Sequence, residues 1–320
     1  MNKIKLTALA VVAAISLPTM ATAAPKVYGK LSVTVQNSDI ESNADGDKWE
    51  IKSNASRIGF KGDAELDAGL TGIYKIEYEI DNIDKTKSSS EDIFKARATW
   101  VGLKGDFGTV IVGREDTPLK KSQKKVDLFN DLSGDIKNVL KGDNRESNII
   151  QYTSPKIADA VKIKLMTQFG EGEDIDGETG NEDGLFDVYS VSAAYNKDGI
   201  YAAIAYDSGI DEQEILRLTG QVNLGDLQLG AMWQDAEPTD GSADSEDGYH
   251  VSAAYKLGKA KLKAQYTASD IKAAGADQFS VGAEYKLGKK TTAHGFYTAY
   301  DADAADSGKD FYGVGIIHKF

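Results

Sequence analysis

From Val27 to the last residue, apolar and polar side chains alternate one by one in segment after segment. Val27, Leu31, Val33 and Val35 alternate with Tyr28, Lys30, Ser32 and Thr34. Tyr74, Ile76, Tyr78 and Ile80 alternate with Lys75, Glu77 and Glu79, and Leu216, Leu218, Val222 and Leu224 with Arg217, Thr219, Gln221 and Asn223. Successive strand residues point to opposite faces, so each segment carries one apolar and one polar face. Beyond residue 23 no apolar run is long enough to cross a bilayer as a helix. Half-apolar strands close either as a soluble sandwich or as a barrel whose apolar face meets lipid, and average hydropathy does not separate the two.

The connections separate them. Short Gly-containing turns are expected at Lys61-Gly62-Asp63, Lys104-Gly105-Asp106, Lys197-Asp198-Gly199, Leu224-Gly225-Asp226, Leu257-Gly258-Lys259 and Leu287-Gly288-Lys289. Between them lie longer acidic stretches at 39–48, 81–92, 170–183 and 235–247. Short turns at one end and long polar loops at the other are the asymmetry of bacterial outer-membrane barrels. A weak repeat starting at Val191, Leu218, Val251 and Val281 marks one hairpin plus its outer loop. It places Tyr195, Tyr255 and Tyr285 just before short turns, where an aromatic girdle lies. Counting strands between turns and loops gives sixteen, at about eighteen residues per strand and connection, enough for strands of roughly 9–11 residues. A barrel of that size leaves an aqueous channel. Tyr312, Val314, Ile316, His318 and Phe320 form a terminal alternating strand that pairs with the first and removes both sheet edges.

The amino terminus sets the compartment. Lys3 and Lys5 precede an apolar stretch from Leu6 to Leu17, and Ala21-Thr22-Ala23 is a small-x-small cleavage site. This is a secretory signal peptide over 1–23, with cleavage after Ala23 and a single domain over 24–320. The chain has no cysteine, hence no disulfide framework or thiol chemistry, and only three histidines, without zinc-ligand spacing. No Gly-x-Ser-x-Gly or His-Glu-x-x-His arrangement is present, so the chain reads as neither an enzyme nor a metal or cofactor protein. The acidic stretch from Glu171 to Gly184 lacks EF-hand spacing and reads as a solvated loop. A formal charge of −13 argues against nucleic acid as a partner.

On these residues the chain resembles the general diffusion porins of Gram-negative bacteria over essentially its whole mature length. The most specific matches are Ser56 to Gly62, Gly102 to Gly108, Gly113-Arg114 leading into a long connection, and the terminal Phe320. The resemblance implies a sixteen-stranded antiparallel transmembrane β-barrel whose third loop, 115–146 here, folds into the lumen. It implies a homotrimer in outer-membrane lipid and lipopolysaccharide, and a Phe320 read by the barrel-assembly machinery. By resemblance, Asp127, Asp131 and Asp135 are the acidic side of a pore constriction, facing Arg57, Arg97, Arg114 and Arg145 on a basic wall. Lys120, Lys121, Lys124 and Lys125 are additional charges of the lumen or its rim, outside the family pattern.

The expected function is passive diffusion of small hydrophilic solutes and ions across the outer membrane. The acidity of the chain suggests weak cation preference. Two alternatives stay open at this point. One is a substrate-selective channel for a sugar, amino acid or organic anion, which saturable current block would reveal. The other is a secreted β-rich adhesin or binding module, which would need no detergent for extraction.

Overall fold

The computed structural model describes residues 24–42, 46–80, 93–171 and 184–320. The expected signal peptide and the acidic stretches at 81–92 and 172–183 lie outside the described residues. The strands are β1 (Lys26–Ile40), β2 (Lys48–Ser53), β3 (Arg57–Glu65), β4 (Thr71–Ile80), β5 (Phe94–Gly105), β6 (Gly108–Asp116), β7 (Arg145–Thr153), β8 (Val161–Gln168) and β9 (Val188–Lys197). They continue as β10 (Ile200–Ile210), β11 (Gln213–Leu224), β12 (Leu227–Pro238), β13 (Glu246–Leu257), β14 (Ala260–Ser269), β15 (Ala276–Lys286), β16 (Thr291–Asp301) and β17 (Lys309–Lys319). From β3 onward each pairs antiparallel with its sequence neighbour, β1 pairs with both β2 and β3, and β1 pairs with β17, from Lys30 opposite Lys319 to Ile40 opposite Lys309. The sheet therefore closes into a barrel.

Seventeen segments make sixteen staves. β2 and β3 pair with the same strand, Ser38 opposite Lys48 at one end and Lys26 opposite Lys61 at the other. They are halves of one stave, broken where Ala55 takes a left-handed conformation (φ 49°). Polar groups close the break: Asn54 Nδ2 donates to Thr34 Oγ1 at 2.6 Å, and Ser32 N donates to Ser56 Oγ at 3.0 Å.

The alternation sorts inside from outside, inverted relative to a soluble protein. Val27, Leu31 and Val35 are exposed on the outer face, while Ser32, Thr34 and Gln36 between them are buried on the inner one. On β11 Leu218 and Leu224 face outwards, and Arg217, Thr219 and Gln221 are buried inside. Outward apolar positions suit hydrocarbon, and pairing of the first strand with the last supplies the closed ladder that a lipid environment demands. Tyr195, Tyr255 and Tyr285 face outwards near the short-turn end. Trp49 with Tyr312, Tyr78 with Phe94, and Tyr249 with Tyr266 make ring contacts nearer the loop end.

Five of the six short turns fall where expected. Lys61-Gly62-Asp63 does not: β3 runs straight through it, and the chain reverses at residues 66–70, with Ala68 and Gly69 at positive φ. Gly62 sits opposite Tyr74, and a Cβ there would lie 2.6 Å from the Tyr74 hydroxyl. This glycine makes room for a cross-strand aromatic side chain rather than for a turn. One loop-end connection is also tight, Asp211-Glu212 joining β10 to β11 with both residues at positive φ.

Candidate functional site: the inward loop and the eyelet

The connection from β6 to β7 spans 117–144, two residues shorter at each end than expected, and turns into the barrel. It opens with helix α1 (Pro118–Ser122), where Pro118 begins the helix and the Thr117 side chain caps it by accepting from Lys120 N at 3.0 Å. Leu119, Val126, Phe129 and Val139 are fully buried, and Ile136 and Leu140 nearly so, against the inner wall. Each such side chain contributes about 1.5–3 kcal/mol through burial, so apolar packing favours the inward position of the loop.

Polar contacts fix its height. His250 meets Val126 O at 3.1 Å and Thr267 Oγ1 at 2.9 Å. Gln265 accepts from Leu128 N at 2.8 Å and donates to Gly134 O at 2.7 Å. Lys263 donates to Leu128 O at 2.7 Å, pairs with Glu284 at 2.8 Å, and lies 4.4 Å over the Phe129 ring. Arg217, 1% exposed, donates to Lys141 O at 2.6 Å and to Gln234 Oε1 at 2.8 Å.

The loop leaves an eyelet of 580 Å³ between itself and the wall of β2 to β7. Asp131 reaches across it to Lys30 at 2.7 Å and Arg57 at 3.5 Å. Burial would raise the Asp131 carboxyl, but Lys30 and then Arg57 outweigh it and hold the group below the usual carboxylate range. Arg97 lines the same space and is held by Glu77 at 2.8 Å and Glu79 at 2.7 Å. Arg145 pairs with Asp116 at 2.7 Å, and Lys120 bridges Asp116 at 3.5 Å and Asp143 at 2.7 Å. Lys121 approaches Glu115 at 3.4 Å, while Lys124 donates to Asn196 Oδ1 at 3.0 Å and lies 4.3 Å over the Tyr201 ring.

Thus Asp131, Arg57, Arg97, Arg145, Lys120, Lys121 and Lys124 come together around one space. Asp127 and Asp135 do not reach it. Asp127 accepts from Phe129 N at 2.9 Å, and Asp135 accepts from Asp131 N at 2.9 Å and Lys137 N at 3.0 Å. Both are buried braces of the loop's own backbone. Arg114 lies outside the lining and donates to Ser147 Oγ at 2.8 Å. The Lys125 side chain is exposed and also outside the lining. Phe320 closes the sheet, its N donating to Gly29 O at 3.1 Å and its O accepting from Gly29 N at 3.2 Å.

Several lumen groups were not singled out in the sequence. Lys30, Glu77 and Glu79 sit in the polar phase of strands whose other phase is apolar, which is the signal that marks them. Lys137 and Asp143 carry no such signal, because irregular backbone has no period, and Asp116 is the last residue of β6, where the period ends.

The model of the Gram-negative porin family matches residues 8–305. A monosaccharide porin of Halomonas sp is 26% identical over 269 residues, covering 77% of this chain and 71% of the relative. The solved anion-selective porin from Comamonas acidovorans superposes with TM-score 0.71 at 20% identity, covering 92% of this chain and 99% of that one. The trimer form of OmpT of Vibrio cholerae superposes with TM-score 0.66 at 16% identity, covering 92% and 99%. The chain belongs to the Gram-negative porin family.

Proposed function

We propose that this passive outer-membrane diffusion channel passes small hydrophilic solutes through the eyelet with a weak preference for anions. The observation that carries the sign is the charge lining the eyelet: eight lysines and arginines against four carboxylates. The acidity of the whole chain suggests the opposite sign. Exposed loop charges act over only about 8–10 Å at moderate salt, whereas charges inside a narrow passage are screened least. The lining therefore outweighs the total.

On this reading Asp131 and the basic side chains around it set the field felt by a solute, and the loop over 117–144 sets the size limit. Asp127 and Asp135 act as braces of that loop. We further propose a homotrimer seated in lipid and lipopolysaccharide, exported with cleavage after Ala23 and assembled through the terminal Phe320. Family membership and the trimer form of a porin of the same fold support this assembly.

The test is the reversal potential of the detergent-purified protein in a planar bilayer under a KCl gradient. An anion-side reversal is expected; a cation-side reversal would overturn the assigned sign.

A further inference from the structure

Below the eyelet a second cavity of 250 Å³ opens between the loop and the wall of β8 to β10. Its charged lining is Lys121, Lys124, Lys156, Lys162 and Lys164, with no carboxylate among them. Lys121 and Lys124 also line the eyelet, so the two spaces adjoin at these side chains. On β8, Lys162 and Lys164 alternate with Leu165, which is exposed on the outer face, so the strand's period holds both ammonium groups on the lumen side. Lys124 is fixed from above by Asn196 and by the Tyr201 ring, whose hydroxyl donates to Ser122 O at 2.7 Å.

Like charges gathered in a confined space repel one another, and the eyelet offsets part of its charge with its own carboxylates. The trough's lining has none; Glu115, outside that lining, pairs with Lys121 at 3.4 Å, so the charge of the other four lysines is neutralised largely from solution. One multivalent anion does this at a lower ordering cost than several chloride ions. The volume lies below the range of about 300–1,000 Å³ typical of drug-sized ligands, which limits the occupant to a small ion. We infer that the lysine trough is a binding subsite for small multivalent oxyanions of the di- and polyphosphate type, placed on the path out of the eyelet. The inference deepens the anion-preferring reading of the lumen and rests on it.

The probe is inorganic pyrophosphate added to single channels in KCl. A saturable, concentration-dependent fall in current is expected, and Lys162→Gln with Lys164→Gln should raise the half-blocking concentration at least tenfold. Heat-modifiable migration of that variant on gels verifies that its barrel has formed. Lys290→Gln, outside both the eyelet and the trough, serves as the charge control and should be blocked as the wild type is. Absence of block in the wild-type channel, or unchanged block in the double variant, overturns the subsite. Reversal potentials from the same membranes keep the two readings apart. An anion-side reversal without block removes the trough alone. A cation-side reversal with block that depends on Lys162 and Lys164 keeps the trough and removes the selectivity.

Discussion

Lys30 and Asp131 meet at 2.7 Å across the lumen, joining the first strand of the barrel to the inward loop. Both side chains are less than a fifth exposed, and Arg57 approaches the same carboxylate oxygen at 3.5 Å. Asp131 is thus the one loop carboxylate that offsets the basic wall directly. Asp131→Asn should leave Lys30 and Arg57 without their counter-charge and strengthen anion preference about twofold in permeability ratio, equivalent to about 0.4 kcal/mol. The reversal potential under a KCl gradient reads this directly. A shift towards the cation side would show that Asp131 does not control the eyelet field.

Phe129 has no exposed surface, and Lys263 lies over its ring while donating to the preceding carbonyl. Phe129→Ala should cost about 3–5 kcal/mol of docking energy. The barrel's own ladders do not pass through Phe129, so the loss falls on the loop. Heat-modifiable migration should therefore be unchanged, while single-channel traces become noisier, with larger openings. Quiet traces of wild-type size would place the anchor elsewhere.

The barrel was legible in the sequence to the level of stave number, because each strand obeys a period of two across a boundary between lipid and water. What the period misses is local. Gly62 reads as a turn glycine but clears space for Tyr74, and no sequence pattern distinguishes the two uses. The break at Ala55 places one extra residue in the stave, so the register against β1 shifts by one across it. In the loop, the family resemblance implies three constriction carboxylates, yet of these only Asp131 lines the eyelet. Asp127 and Asp135 turn onto backbone amides, an outcome decided by tertiary packing. The sign of the eyelet was illegible for the same reason, since total charge counts outer loops equally with a lining that only the fold assembles.

Asp127 and Asp135 give the loop a pH dependence. Burial, and then the charge of Asp135, push the Asp127 carboxyl up; burial also raises Asp135, against the opposing pull of Lys137. A carboxyl raised in the folded state keeps its proton where the unfolded chain, titrating near about 4, has lost it, so stability falls as pH rises through that interval. Docking should therefore be firmer at pH 5 than at pH 9, with brief current closures becoming more frequent on the alkaline side. Asp127→Asn keeps an acceptor for Phe129 N and removes the titration, so it should flatten the profile. A closure rate that rises towards acid in the wild type would contradict the assignment of Asp127 as a protonated brace.

Closure of the barrel depends on a missing side chain. Gly29 and Phe320 exchange two backbone hydrogen bonds where the chain ends meet, and the Phe320 ring covers the space a side chain at 29 would occupy. A Cβ there would lie 2.2 Å from Phe320 Cζ and 2.7 Å from Arg57 O. The ring has room to swing aside, but the carbonyl belongs to the neighbouring strand and is fixed by its ladder. Gly29→Ala should therefore reduce the folded, heat-modifiable fraction, and adding Phe320→Leu should not restore it, because the contact with Arg57 O stays. Gly220→Ala provides the control, since a Cβ at that strand position meets nothing within 4 Å. If Gly29→Ala folds as completely as Gly220→Ala, the seam tolerates a methyl group and closure is governed by the hydrogen bonds alone.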